Sequence, residues 1–357
     1  MILLAAVVAA VALAPPVWAQ GGQGTSKWEI EGFGGGLFLT GSTAEGTATL
    51  PPPGPAIATS SPVFPSRRVP SWFFGDGALL LNQVNQQFSV TDRIVPLDGA
   101  LGGAALNTGN GFAAGVRVRR VLTGNLWLEG AVEFYPGAVG RSDELLAAVD
   151  ATRDSFAPAF EGLLSTGPFQ NIAVAATSSS GGSSLEMAAT AAVQYRFGDA
   201  GSLAPYITLG GGLVTGLGDG PAVTLEGRYA FDIVGEVPID ETDRITIRQE
   251  TSTTIVGLVG GGLRRQMTER WGFSIDGRLL LGPGATSVVI DAAPSIATGT
   301  PADFVESFTT PSIQFSNDPS TGRESSLGPP GLDGFESFDS DRLNARIVIS
   351  AGIFWIF

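Results

Sequence analysis

Large apolar residues alternate with polar or small ones in eight segments of this chain: Lys27–Thr40, Asn110–Val121, Asn125–Tyr135, Leu185–Phe197, Pro205–Thr215, Thr253–Met267, Arg270–Leu281 and Asn344–Phe357. A period of two marks a β-strand with unlike faces. The links between the segments are very unequal. "LTG", "GDAGSLA" and "TE" join the second to the third, the fourth to the fifth and the sixth to the seventh, whereas the other four connections, about 41–109, 136–184, 216–252 and 282–343, run to tens of residues.

Short and long links therefore alternate strictly around an even number of strands. Barrels of the outer-membrane type are built this way, with short periplasmic turns and long extracellular loops. The expected fold class is all-β, an eight-stranded antiparallel transmembrane β-barrel. It would be an up-and-down meander whose long loops contain short helical and hairpin segments.

Parity along each strand sorts side chains between lipid and lumen. In the last segment Ile347, Ile349, Ala351, Ile353, Trp355 and Phe357 share one face, expected to meet lipid, and Arg346, Val348, Ser350, Gly352 and Phe354 share the other. The same sorting turns Glu29, Glu31, Arg117, Arg119, Glu129, Glu133, Glu186, Arg196, Arg264, Asp276 and Arg278 inward with Arg346. A charge on the lipid face near the midplane costs about 2–4 kcal/mol, so the lumen is where these residues belong. Six carboxylates and six guanidiniums, in an interior that eight strands leave just wide enough for side chains, predict a cross-linked plug. The fifth strand carries no charge to set its parity. Trp127 shares the parity of Glu129, which predicts a lid over the lumen at the turn. Trp28, Tyr195, Phe197, Trp271 and Trp355 lie beside a terminus or a short turn, as do Tyr206 and Phe357. Their gathering at one end of the strands predicts an aromatic girdle at one bilayer interface.

Composition narrows the picture. Met1–Ala14 is apolar and leads into "PPVWAQ", with Val17 and Ala19 at signal-peptidase spacing. Residues 1–19 are expected to be a signal peptide and 20–357 a single barrel domain. The apolar run falls short of the roughly 20 residues of a spanning helix, and no later run approaches that length. A membrane location therefore requires a closed barrel. The absence of cysteine removes disulfides and thiolate metal sites. A net charge of −14 argues against nucleic acid as a partner.

The long loops are not uniform. Ser142–Ser165 places Leu145, Leu146, Val149, Phe156 and Phe160 at helical spacing behind a candidate N-cap, Ser142, which predicts one helix or two broken at Pro158. Pro65–Phe88 is apolar enough either to fold onto the barrel mouth, the favoured reading, or to be a contact surface for a partner. "VTLEGRYAF" and "DRITIRQETSTTI" alternate well enough to continue the strands beyond the membrane. From Asp303 to Asp341 there are eight carboxylates against one arginine. Their spacing matches no calcium loop, and a solvated acidic loop is expected.

Strand count, link alternation and the closing "SAGIFWIF" together resemble the OmpA/OmpX/OmpW-like eight-stranded outer-membrane β-barrel family. The resemblance covers the strands, about a third of the chain. It implies a Gram-negative cell envelope and a periplasmic passage with chaperones. It also implies insertion by the barrel-assembly machinery, reading Ile353, Trp355 and Phe357 as the assembly signal. The termini would be periplasmic, the long loops extracellular, and outer-membrane lipid and lipopolysaccharide the surroundings. Enzymes among small outer-membrane barrels rely on a histidine, and this sequence has none. No nucleophile stands beside a base in the pattern, so no catalytic, cofactor-binding or metal-ligating residue is expected. The expected function is a non-enzymatic barrel that anchors an extracellular loop cap, for surface interaction with an unknown partner or for envelope integrity. The alternative is a narrow, porin-like channel for ions or small hydrophobic solutes, and a soluble secreted sandwich is a third reading.

Overall fold

Eight strands close into a barrel in the computed structural model, which describes residues 27–40, 48–57, 66–108, 110–198, 203–233, 237–296, 313–315, 325–328, 331–340 and 343–357. They are β1 (Trp28–Thr40), β2 (Gly111–Thr123), β3 (Leu126–Pro136), β4 (Leu185–Arg196), β5 (Leu203–Leu217), β6 (Thr254–Gln266), β7 (Trp271–Pro283) and β8 (Leu343–Ile356). Each pairs antiparallel with its chain neighbour, and β8 returns to pair with β1, with Glu29 opposite Ile356 and Thr40 opposite Ala345. The meander is therefore complete. Closure leaves no free edge in the barrel. At the tightest turn Gly124 takes φ +45° between β2 and β3, a conformation open to glycine at little cost. The expected signal segment lies outside the described residues.

The two faces of the barrel wall are chemically opposite. Ile30, Phe112, Val116, Ile207, Ile275 and Ile349 are exposed on the outside, and inward neighbours along the same strands are buried. The fifth strand, unassigned from its sequence, turns Ala204, Tyr206 and Thr208 inward and Ile207 and Leu209 outward. Trp28 is half-buried on the outer side, while Tyr195, Phe197, Trp271, Trp355 and Phe357 are exposed at the short-turn end. Trp127 and Tyr206, at the same end, point into the barrel instead.

Above the barrel the wall continues as a second sheet. Strand Phe169–Gly181 runs into β4, β5 runs on to Ala222–Ile233, Val237–Thr251 runs into β6, β7 runs on to Thr286–Ala292, and Leu332–Asp339 precedes β8. These five strands are hydrogen-bonded in the same order as the barrel strands they extend, and Ser295–Ile296 adds to Val237–Thr251. Leu106–Thr108 and Val139–Arg141 extend β2 and β3 as a separate pair, and Ala56–Ile57 pairs with Ser66–Arg67. At the waist, where the strands break between barrel and cap, backbone bonds still join neighbouring staves: Ser252 N–H donates to Ala285 O at 2.8 Å and Gly137 N–H to Ser184 O at 2.9 Å.

Two helices pack into the core of this cap. Helix α1 (Gly75–Gln87) lies within the apolar Pro65–Phe88 stretch, and its Leu80, Leu81 and Val84 are buried. Most apolar residues of the stretch's described part, 66–88, are therefore internal packing, with Leu79 and Phe88 exposed. Helix α2 (Asp143–Leu164) is a single helix, capped by Ser142 Oγ accepting from Leu145 N–H at 2.9 Å. Pro158 does not break it, because Pro158 and Asp154, whose carbonyl loses its partner, are both exposed and water can replace the missing bond. Leu145, Val149, Phe156 and Phe160 point into a core shared with Trp72, Phe73, Leu225, Tyr229, Ile245 and Ile290. A smaller apolar layer, with Leu37, Val214, Val256, Leu258, Leu280 and Val348, closes the upper lumen beneath the cap.

Candidate functional site

The lumen is the first candidate, because it gathers residues from every wall. All twelve charged positions sorted inward by parity are buried there. Glu29 meets Arg119 at 2.8 Å, Arg264 at 2.7 Å and Arg196 at 3.4 Å. Arg119 also holds Glu31, and Glu129 at 2.6 Å, while Arg117 bridges Glu31 at 2.9 Å and Asp276 at 2.8 Å. Arg278 closes the circuit through Glu129 at 2.7 Å and Asp276 at 3.0 Å, with Glu133 at 3.6 Å from both Arg117 and Arg278. Ten residues thus form one network. Glu186 and Arg346 form a separate pair at 3.3 Å, reaching across from β4 to β8 on opposite walls.

Hydroxyl groups complete the circuit. Tyr135 donates to Glu133 at 2.6 Å, Tyr206 to Asp276 at 3.1 Å and Ser350 to Asp276 at 2.6 Å. Glycine makes room for it: a Cβ at Gly352 would stand 2.6 Å from a carboxylate oxygen of Glu31. At the short-turn mouth the Arg196 guanidinium lies 3.3 Å from the centre of the Trp127 ring, and Arg264 lies 4.1 Å from that of Phe354. Trp127 is thus a lid over the lumen. Chemically, each acid of the lumen faces at least one arginine. The aromatics Trp28, Tyr195, Phe197, Trp271 and Trp355 ring the outer surface at that end, and Ile353, Trp355 and Phe357 project outward from β8.

The cap offers a different chemistry. Glu241 and Asp243 lie on the inward face of Val237–Thr251, fully buried, and no guanidinium pairs with either among the described residues. Burial pushes Glu241 up to about 8 and Asp243 up to about 7, partly offset by the hydrogen bonds each accepts. Their parity could have revealed them, since the alternation of Ile245 and Ile247, carried backwards, sets both acids on the apolar face. On the outer face the acids are paired. Arg228 holds Asp240 at 2.6 Å and Arg248 holds Asp291 at 2.8 Å, and these hydrogen bonds lower both carboxyls. A pocket of about 280 Å³ lies at the waist, lined by Ser184, Glu186, Asp219, Arg248, Gln249 and Glu250. Among the described residues no group of three or more acidic side chains could hold a metal ion, and most of the acidic fourth loop lies outside them. No described helix is long and apolar enough to cross a membrane, which says nothing of crossing by strands.

No protein-family model matches the chain, and no curated protein matches its sequence.

Proposed function

We propose that the protein is a non-enzymatic outer-membrane β-barrel whose barrel anchors a folded extracellular cap for surface interaction or envelope integrity. The observation that carries this reading is the inversion of the barrel, apolar outside and ionic inside. In water such a wall would expose a continuous apolar belt, whereas in a bilayer the same belt is solvated by lipid. The rings of Tyr195, Trp271 and Trp355 at one end fit a bilayer interface. Short turns would then face the periplasm and the cap the outside.

The lumen favours an anchor over a conduit. Salt bridges join opposite walls, Trp127 and Phe354 crowd one mouth, and the apolar layer and the cap close the other. Single-channel recording from purified protein in a planar bilayer is expected to show no steady conductance. A reproducible conductance would replace the anchor with the channel reading. Extraction tests the location: release from membranes by salt alone, without detergent, would overturn it.

A further inference from the structure

The cap core holds two acids that the anchoring role does not use, and they bind together segments distant in sequence. Asp243 accepts from Ser71 Oγ at 2.9 Å and from the Trp72 backbone N–H at 2.5 Å through a single oxygen, Oδ2. Two residues away on the same strand face, Glu241 accepts through Oε2 from the Tyr229 hydroxyl and from Ser325 Oγ at 2.8 Å. Tyr229 in turn accepts from Trp72 Nε1 at 3.1 Å. A chain of hydrogen bonds therefore runs from the 66–74 segment through Val237–Thr251 and Ala222–Ile233 to the 325–328 segment. The two outer segments are also joined directly, by Val69 N–H to Ser326 O at 2.7 Å and by Ser66 Oγ to Ser326 Oγ at 2.8 Å.

Each carboxyl has one oxygen loaded with two donors and one, Glu241 Oε1 or Asp243 Oδ1, buried without a hydrogen-bond partner. A carboxylate in that position leaves its charge unanswered, whereas a proton on the bare oxygen removes the charge and keeps both accepted bonds. Among the described residues, no guanidinium forms an ion pair with either carboxyl. Ala222–Ile233 presents Tyr229, the 66–74 segment presents Ser71 and Trp72, the 325–328 segment presents Ser325, and α2 presents Phe160, stacked on Tyr229 at 4.5 Å. The nearby charges are Asp240, occupied by Arg228 and repelling Glu241, and on the 66–74 segment Arg67, paired with Asp76, and Arg68, which lies beside Gly328.

We propose that Glu241 and Asp243 form a proton-operated latch: protonated, they hold the 66–74 and 325–328 segments closed over the cap core, and ionised, they let those segments lift. The direction follows from linkage. Both carboxyls are raised above their ordinary range in the closed cap, so closure is strongest below about pH 4 and is lost progressively as pH rises to about 8. The latch belongs to the folded chain and is independent of where the barrel resides.

Hydrogen exchange of the full-length protein, folded in detergent, reads the latch directly. The protection of amides 71–81 is compared with that of β8 at about pH 5.5 and about pH 8.5, after correction for intrinsic rates. Protection of 71–81 is expected to fall at least tenfold at the higher pH while β8 stays constant. In the double variant Glu241→Gln with Asp243→Asn the difference between the two pH values should vanish. Unchanged protection in the wild type overturns the latch by itself, whether or not the variant folds. A pH effect that survives in the folded variant overturns it equally. Neither outcome touches the membrane-anchor reading, which conductance and extraction test separately.

Discussion

Arg117 stands between two acids on different strands, Glu31 on β1 and Asp276 on β7, and is almost wholly buried. Arg117→Met would leave both acids in the lumen without it. Such a loss costs about 3–5 kcal/mol, read as a lower urea midpoint of the folded protein. The separate Glu186–Arg346 pair should behave differently. A double-mutant cycle between those two residues is expected to show coupling, while Glu186→Gln and Arg117→Met should add independently, because they share no partner. Gly352→Ala would crowd Glu31 and should also lower that midpoint.

At the scale of elements, α2 depends on its ends and tolerates its middle. Ser142→Ala removes the N-cap bond and should lower cap stability by about 1 kcal/mol. Pro158→Ala restores a backbone donor on the solvent face and should raise it by a similar amount or more, measured by cap exchange rates. The barrel strands were legible because an apolar outer face and arginine–carboxylate pairs inside impose an alternation on nearly all of them. Strand five was the exception, because "PYITLGGGLVT" lacks charge, and its facing emerged from the burial of Ala204, Tyr206 and Thr208 and from the Tyr206 bond to Asp276. Glu241 and Asp243 sit on the apolar parity of their strand, but their burial rests on the 66–74 and 325–328 segments that cover them, which the alternation of one strand does not display. The unbroken course of α2 likewise rests on exposure, which a sequence bearing Pro158 does not display.

At the scale of the whole molecule, the cap and the barrel have separate cores, one apolar between helices and sheet, the other ionic. Two unfolding steps are expected in denaturant. Trp72, buried in the cap, should report the first by fluorescence, and gel mobility should report the second. Trp72→Phe should silence the early fluorescence change while leaving the late step in place. A single coincident transition would show the two cores to be one cooperative unit.

The stacking of cap strands on barrel strands across the waist has a mechanical meaning. The stave from Leu203 to Ile233 is two strands, Leu203–Leu217 and Ala222–Ile233, joined through 218–221. At about 3.3 Å per residue the two together run roughly 90 Å. A load on the cap, from a bound partner or a moving surface, would pass straight down these staves and be shared sideways by their ladders of hydrogen bonds. The cap is therefore carried as a mast is, its height and facing fixed by the hull beneath it, whereas a tethered domain would swing on its line.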